Sequence, residues 1–181
     1  MLTTQQMKKL LISSGYPRSG NTYLNYCLHL LYFPNEVVNN NIHTVTGIEK
    51  LDKVIVPFRN PLDCISSWYT YPWESSIQED IQYYIRFHKA VLDNLHKIVL
   101  IDFDFFTQDI DYIKDKVFKN FGIDTTNFVT DIQVKETMLA NSKELNLPRN
   151  NKLELDVVKA ELQQIPEFTE CIDLYARLKR I

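Results

Sequence analysis

Apolar residues fall into two kinds of run along this chain, and their alternation sets the expected architecture. Lys9–Ser13, Val54–Phe58 and Ile98–Phe103 are short and nearly continuous, the pattern of strands buried on both faces. Between them apolar positions recur at helical spacing. Asn21–Leu31 places Leu24, Cys27, Leu28 and Leu31 on one face. A longer segment, running to about Leu95, does the same with Ile77, Ile81, Ile85, Val91, Leu92 and Leu95, and opens with the capping box Ser76-x-x-Glu79. Asn60-Pro61-Leu62-Asp63 reads as the start of another helix, with Asn60 as N-cap and Pro61 at the first helical position. Ile110–Phe121 is a further helix, closed by Gly122. The polar run Asn39-Asn40-Asn41 leads into a short segment, Ile42–Val45, and Pro57 is uncomfortable in any central strand. Beyond about Thr125 the pattern turns helical and loop-like, with a break at Leu147–Asn151.

Strand–helix alternation of this kind predicts an α/β fold. The expected form is a three-layer sandwich with a central parallel sheet, helices on both faces and a helical C-terminal part. No repeat, low-complexity linker or composition break divides residues 1–181, so the chain reads as one domain. In such sheets ligands bind beyond the carboxyl ends of the strands, which directs attention to the strand-to-helix turns.

Composition narrows the function. A formal net charge of −3 argues against a general nucleic-acid or membrane-surface binder, so positive charge has to be local to a site. The longest apolar runs are far too short for a membrane span, and Met1–Gln6 lack a signal-peptide layout. Cys27, Cys64 and Cys171 are odd in number, widely spaced and without a C-x-x-C, so neither a disulfide framework nor a zinc site is expected. A reducing cytoplasm fits. Glycine is scarce, at 4 residues, and two of them bracket one loop.

That loop, Gly15-Tyr16-Pro17-Arg18-Ser19-Gly20-Asn21-Thr22, follows a strand and opens a helix. Its G-x-x-x-x-G spacing is that of a phosphate-cradling P-loop, with Asn21 where the nucleotide-triphosphate version carries Lys. Loop amides and the helix N-terminus would draw in an anion, with hydroxyls from Ser19 and Thr22 and a cation from Arg18. The plainer alternative is a strand-to-helix turn with glycines at its special backbone positions. Arg59 lies at a second strand-to-helix turn, where a guanidinium can grip phosphate with two bonds. Its plainer alternative is pairing with the nearby carboxylate of Asp63.

Together these segments carry a resemblance. Gly15-Tyr16-Pro17-Arg18-Ser19-Gly20-Asn21-Thr22-Tyr23-Leu24, then Arg59-Asn60-Pro61-Leu62-Asp63-Cys64-Ile65-Ser66-Ser67-Trp68-Tyr69, is similar to the sulfotransferases that use 3′-phosphoadenosine 5′-phosphosulfate. The family's Y-P-[KR]-S-G-[TN]-T loop holds the 5′-phosphosulfate, which here implies Tyr16, Pro17, Arg18, Ser19, Gly20, Asn21 and Thr22. Its R-[ND]-P-x-D-x-x-x-S motif binds the 3′-phosphate, which implies Arg59 and Ser67; spacing alone does not single out Ser67. The stretch Ile98–Phe103 and Asp104 resembles the family's Y-E-D segment, with Phe103 in place of the Tyr and Phe105 in place of the last acid.

The resemblance implies sulfuryl transfer without a metal and adenosine 3′,5′-bisphosphate as product. Arg18 becomes the electrostatic stabiliser of the leaving phosphate. His43 is the implied base, although Asn41-Ile42 do not match the family's K-T before its His, and a solvated loop His is the plain alternative. Arg149 and Lys152, in a basic segment without the family's Gly, are implied at the 3′-phosphate or belong to a solvated turn. Trp68–Trp73 either lines an acceptor pocket or packs a helix end. Two alternatives remain beside the sulfotransferase: a P-loop kinase or NTPase, and a nucleotide-binding relative without turnover. The sulfuryl acceptor and the oligomeric state are not legible.

Overall fold

The computed structural model of the chain describes residues 10–32, 37–40, 43–50, 53–70, 75–122, 129–141 and 152–181. Four parallel strands, β1 (Leu10–Ser13), β2 (Val37–Asn40), β3 (Val54–Phe58) and β4 (Ile98–Asp102), form one sheet in the order β2-β1-β3-β4. The fold is mixed α/β. From β1 the chain moves outward to β2, then returns past β1 to build β3 and β4. The order therefore reverses between β1 and β3, and a crevice opens at the carboxyl ends of such a pair.

Side-chain alternation along the strands separates two cores. Val54, Val56 and Phe58 of β3 and Leu100 of β4 pack with Cys64 and Ile65 of α3 (Pro61–Tyr69) and with Ile81, Tyr84 and Phe87 of α4 (Ile77–Asp93). Val158 and Leu162 of α8 (Lys152–Leu162) and Phe168, Cys171 and Leu174 of α9 (Phe168–Leu178) complete that core. Ile55, Val99 and Ile101 face the other way. They meet Leu24, Cys27 and Leu28 of α1 (Asn21–Tyr32) and Val134 of a helix spanning Asp131–Asn141. Ile113 and Val117, from a helix spanning Asp111–Phe121, join them.

Local chemistry explains several boundaries. Asn60 caps α3 by accepting from Leu62 N at 2.9 Å, with Pro61 next. The capping box of α4 closes in both directions, Glu79 N to Ser76 Oγ at 3.2 Å and Ser76 N to Glu79 Oε2 at 2.8 Å. Gly122 ends its helix in the left-handed conformation, at φ 63°.

Four expectations change. The polar Asn39-Asn40 belongs to β2, which lies against β1 with Ile12 opposite Asn39 and Ser13 opposite Asn40, and Val45 starts α2 (Val45–Lys50) instead of ending an apolar segment. The long helix ends at Asp93, followed by a 3₁₀ turn at Leu95–Lys97. The last strand stops at Asp102, because that side chain accepts from Asp104 N and caps α5 (Phe103–Phe106), so Phe103 is helical. Pro57 does sit in a central strand, at no cost in ladder bonds. Ile55 O accepts from Ser14 N at 2.9 Å, so Ile55 and, two residues on, Pro57 turn their backbone groups toward β1. At Pro57 that neighbour has already ended, and Gly15 packs there instead, where a Cβ would lie 2.7 Å from the proline ring. The remaining helices are numbered α6 (Asp111–Phe121) and α7 (Asp131–Asn141).

Candidate functional site

At the β1/β3 reversal lies a cleft of about 520 Å³, within the range of small-molecule sites. Its floor is the loop from β1 to α1. Arg18 at φ 63° and Gly20 at φ 87° both take the left-handed backbone that curls the loop, and Ser19 N closes a turn on Tyr16 O at 3.2 Å. Gly20 is obligatory for a second reason: a Cβ there would stand 2.7 Å from both Phe103 Cδ2 and Phe106 Cζ. The first helical bond of α1 is Leu24 N to Gly20 O, so the amides of Asn21 and Thr22 precede any intrahelical acceptor.

Asn21 and Tyr16 brace this loop. Asn21 Nδ2 donates to Tyr16 O at 2.8 Å, so its side chain is folded back on the loop. Tyr16 is wholly buried, outside the cleft, with its OH on Asp80 O at 3.1 Å and its ring against Tyr84 at 5.0 Å; burial raises its phenol well above the ordinary range.

The second turn delivers Arg59. Its Nη1 donates to Arg18 O at 3.1 Å and its guanidinium lies 4.2 Å from the Phe103 ring centre, which ties the two strand ends together. Arg18 Nε in turn donates to Ser67 Oγ at 2.9 Å from α3. Asp63 is not Arg59's partner: its Oδ1 accepts from Lys159 Nζ of α8 at 2.6 Å. Arg59 Nε, Ser14 Oγ, Ser19 Oγ and Asn21 Oδ1 are buried without a hydrogen-bond partner among the described residues. Each such atom costs about 1–3 kcal/mol unless something binds it, and the first three are donors, as an anion requires.

His43 Nδ1 lies 2.8 Å from Gly15 O. A carbonyl only accepts, so Nδ1 carries the proton, and the ring's other nitrogen, Nε2, is the one that holds the lone pair whenever the ring is neutral.

No protein-family model matches this sequence, and no curated protein matches it. Of the site residues expected from the sequence, the cleft brings together Pro17, Arg18, Gly20, Asn21, Thr22, His43, Arg59, Ser67 and Phe103. Tyr16 and Ser19 lie behind it. Lys152 begins α8, where a loop was expected; its side chain, like Arg149 and Tyr71–Trp73, is outside the described residues. Sequence reasoning missed Tyr23, Met138, Leu155 and Lys159 on the walls. Lys159 brings a C-terminal cation to the cleft, and no local pattern announces a contact made across 96 positions. Trp68 also lines the cleft, while Tyr69 packs on the core. His88 is fully buried and burial pushes it down to about 4, whereas His96 is exposed in the 3₁₀ turn. No helix among the described residues is long and apolar enough to cross a membrane.

Proposed function

We propose that this chain is a sulfotransferase of the P-loop, three-layer type, whose donor is 3′-phosphoadenosine 5′-phosphosulfate. One observation supports this above the others. Arg18 and Arg59, from two separate strand ends, meet Ser67 in one cleft beside buried donors that have no partner. The residues fit the donor's two anionic ends: Arg18 with the loop amides for the 5′ side, Arg59 and Ser67 for the 3′-phosphate. Bound there, the donor would supply the sulfuryl group. His43 Nε2 takes the proton from the acceptor's hydroxyl or amine. Arg18 never changes protonation, so it stabilises negative charge as that charge develops on the phosphate oxygen.

An ATP–Mg²⁺ site fits the same residues poorly. Asn21 stands in place of the lysine that reaches outer phosphates, and its side chain is engaged with Tyr16 O. The strand β3 ends at Phe58, is followed by Arg59 and offers no acid, and the cleft's Asp63 is held by Lys159.

Calorimetric titration with adenosine 3′,5′-bisphosphate, with ATP–Mg²⁺ as comparison, tests the reading. Tight binding of the bisphosphate and none of ATP is the expected outcome. Preference for ATP–Mg²⁺ would sink the sulfotransferase in favour of a kinase. Bisphosphate binding with no transfer to any acceptor would leave a non-catalytic relative.

A further inference from the structure

Asp63 stands four residues after Arg59, and a bridge between them would occupy the guanidinium that an anion needs. The structure holds Asp63 elsewhere. Lys159 reaches from α8 to its Oδ1 at 2.6 Å, and Arg59 Nε stays without a partner among the described residues. Lys159 follows Leu155 by one helical turn, and both residues line the cleft from α8.

We propose that Lys159 is a positioning residue for the anion site: by holding Asp63, it keeps that carboxylate away from Arg59 and neutral toward an incoming anion. The inference rests on the anion-binding part of the reading above, and not on the identity of the nucleoside. Two features distinguish it from an ordinary surface ion pair. Both partners line the cleft, so a bare Asp63 would face the ligand with like charge at short range. Both side chains are also about a third exposed, at 31% and 37%, so the pair adds little to folding and its loss registers in binding instead. A direct contact between Lys159 and the anion is the competing role, and a double-mutant cycle separates the two.

The experiment is calorimetric titration of the full chain with inorganic pyrophosphate, for wild type, Lys159→Ala, Asp63→Asn and the double variant, with thermal midpoints recorded alongside. Lys159→Ala should weaken pyrophosphate roughly tenfold, Asp63→Asn should bind no more weakly than wild type, and the double variant should recover to within about threefold of wild type. Midpoints should barely move. A double variant as weak as Lys159→Ala would assign Lys159 to the anion directly and overturn the proposal. So would an unaffected Lys159→Ala, or a wild type that ignores pyrophosphate. Adenosine 3′,5′-bisphosphate, run in parallel, isolates the donor reading: pyrophosphate binding with the expected pattern, but no bisphosphate binding, would sink that reading and leave the role of Lys159 standing.

Discussion

The ends of β1 and β4 lie at the same sheet edge and are finished in opposite ways. At β4 the Asp102 carboxylate is buried and fully engaged: Asp104 N donates to it at 3.0 Å and Lys179 Nζ, just past α9, at 2.6 Å. Lys179 also reaches Asp104 at 3.0 Å, where Tyr175 OH joins at 3.1 Å. Partial burial opposes the lysine's charge, but the hydrogen bonds to Asp102 and Asp104 outweigh it and raise its pKa. At β1 the loop leaves Ser14 Oγ and Ser19 Oγ buried and unpaired among the described residues. One edge position is closed by its own chain; the other keeps open hydrogen-bonding groups behind the loop of the candidate site. On the proposed reading, pairing, more than position in the sheet, separates a structural turn from a binding one.

Four substitutions, the first read against a control at Gly122, probe that contrast. The largest effect belongs to Gly20→Ala, which combines a φ of 87° with a Cβ driven into Phe103 and Phe106. It should cost about 3–4 kcal/mol in urea denaturation, against about 1 kcal/mol for Gly122→Ala, where the space is open. Equal losses at the two glycines would mean that backbone strain alone, and not close packing under the cleft, governs the loop. Next, Arg59→Ala should weaken adenosine 3′,5′-bisphosphate by about a hundredfold in calorimetry, the loss of roughly two charge-assisted bonds. Unchanged affinity would remove the crevice between the ends of β1 and β3, which Arg59 spans through Arg18 O, from the list of binding sites.

At the closed end, Lys179→Met should lower stability by about 2 kcal/mol and leave bisphosphate affinity unchanged, because Asp102 would be left buried without its cation. Weakened binding there would erase the distinction between the two ends. The smallest effect concerns the floor behind the loop. Burial raises Asp80 to about 6, while the Trp68 side chain donates to it. The stabilisation from its protonated form is complete below the ordinary value of 3.8 and is lost as pH rises through about 6. Asp80→Asn should therefore gain about 1–2 kcal/mol over wild type at pH 8 and nothing at pH 4. His88, pushed down to about 4, has the opposite pH trend, but it is common to both proteins and cancels. A gain independent of pH would show that Asp80 is not the titrating group.

Where structure follows from neighbours in sequence, it was legible. Asn60-Pro61, Ser76-x-x-Glu79 and Gly122 set helix ends through bonds spanning at most four residues, and all three stand where the sequence puts them. β2 was not legible, because Asn39 and Asn40 have poor strand preference and owe their conformation to pairing with β1. The reach of the candidate site followed the same division. Gly15–Thr22 and Arg59 announce themselves by spacing at strand ends. Lys159 and Tyr23, whose OH bonds Asp131 of α7, acquire their places only when distant helices dock. The choice of Asp63 between Arg59 and Lys159 is a tertiary competition that no local pattern decides.

Arg18 has a consequence for anyone selecting sturdier variants of this protein. Its φ of 63° is a conformation that glycine adopts freely and that an arginine holds at a cost of about 1 kcal/mol. A heat-challenge library scored on folding alone will reward Arg18→Gly, which relaxes the loop and discards the guanidinium that reaches Ser67. Survival of heating and retention of the proposed anion site would then part company at this one position.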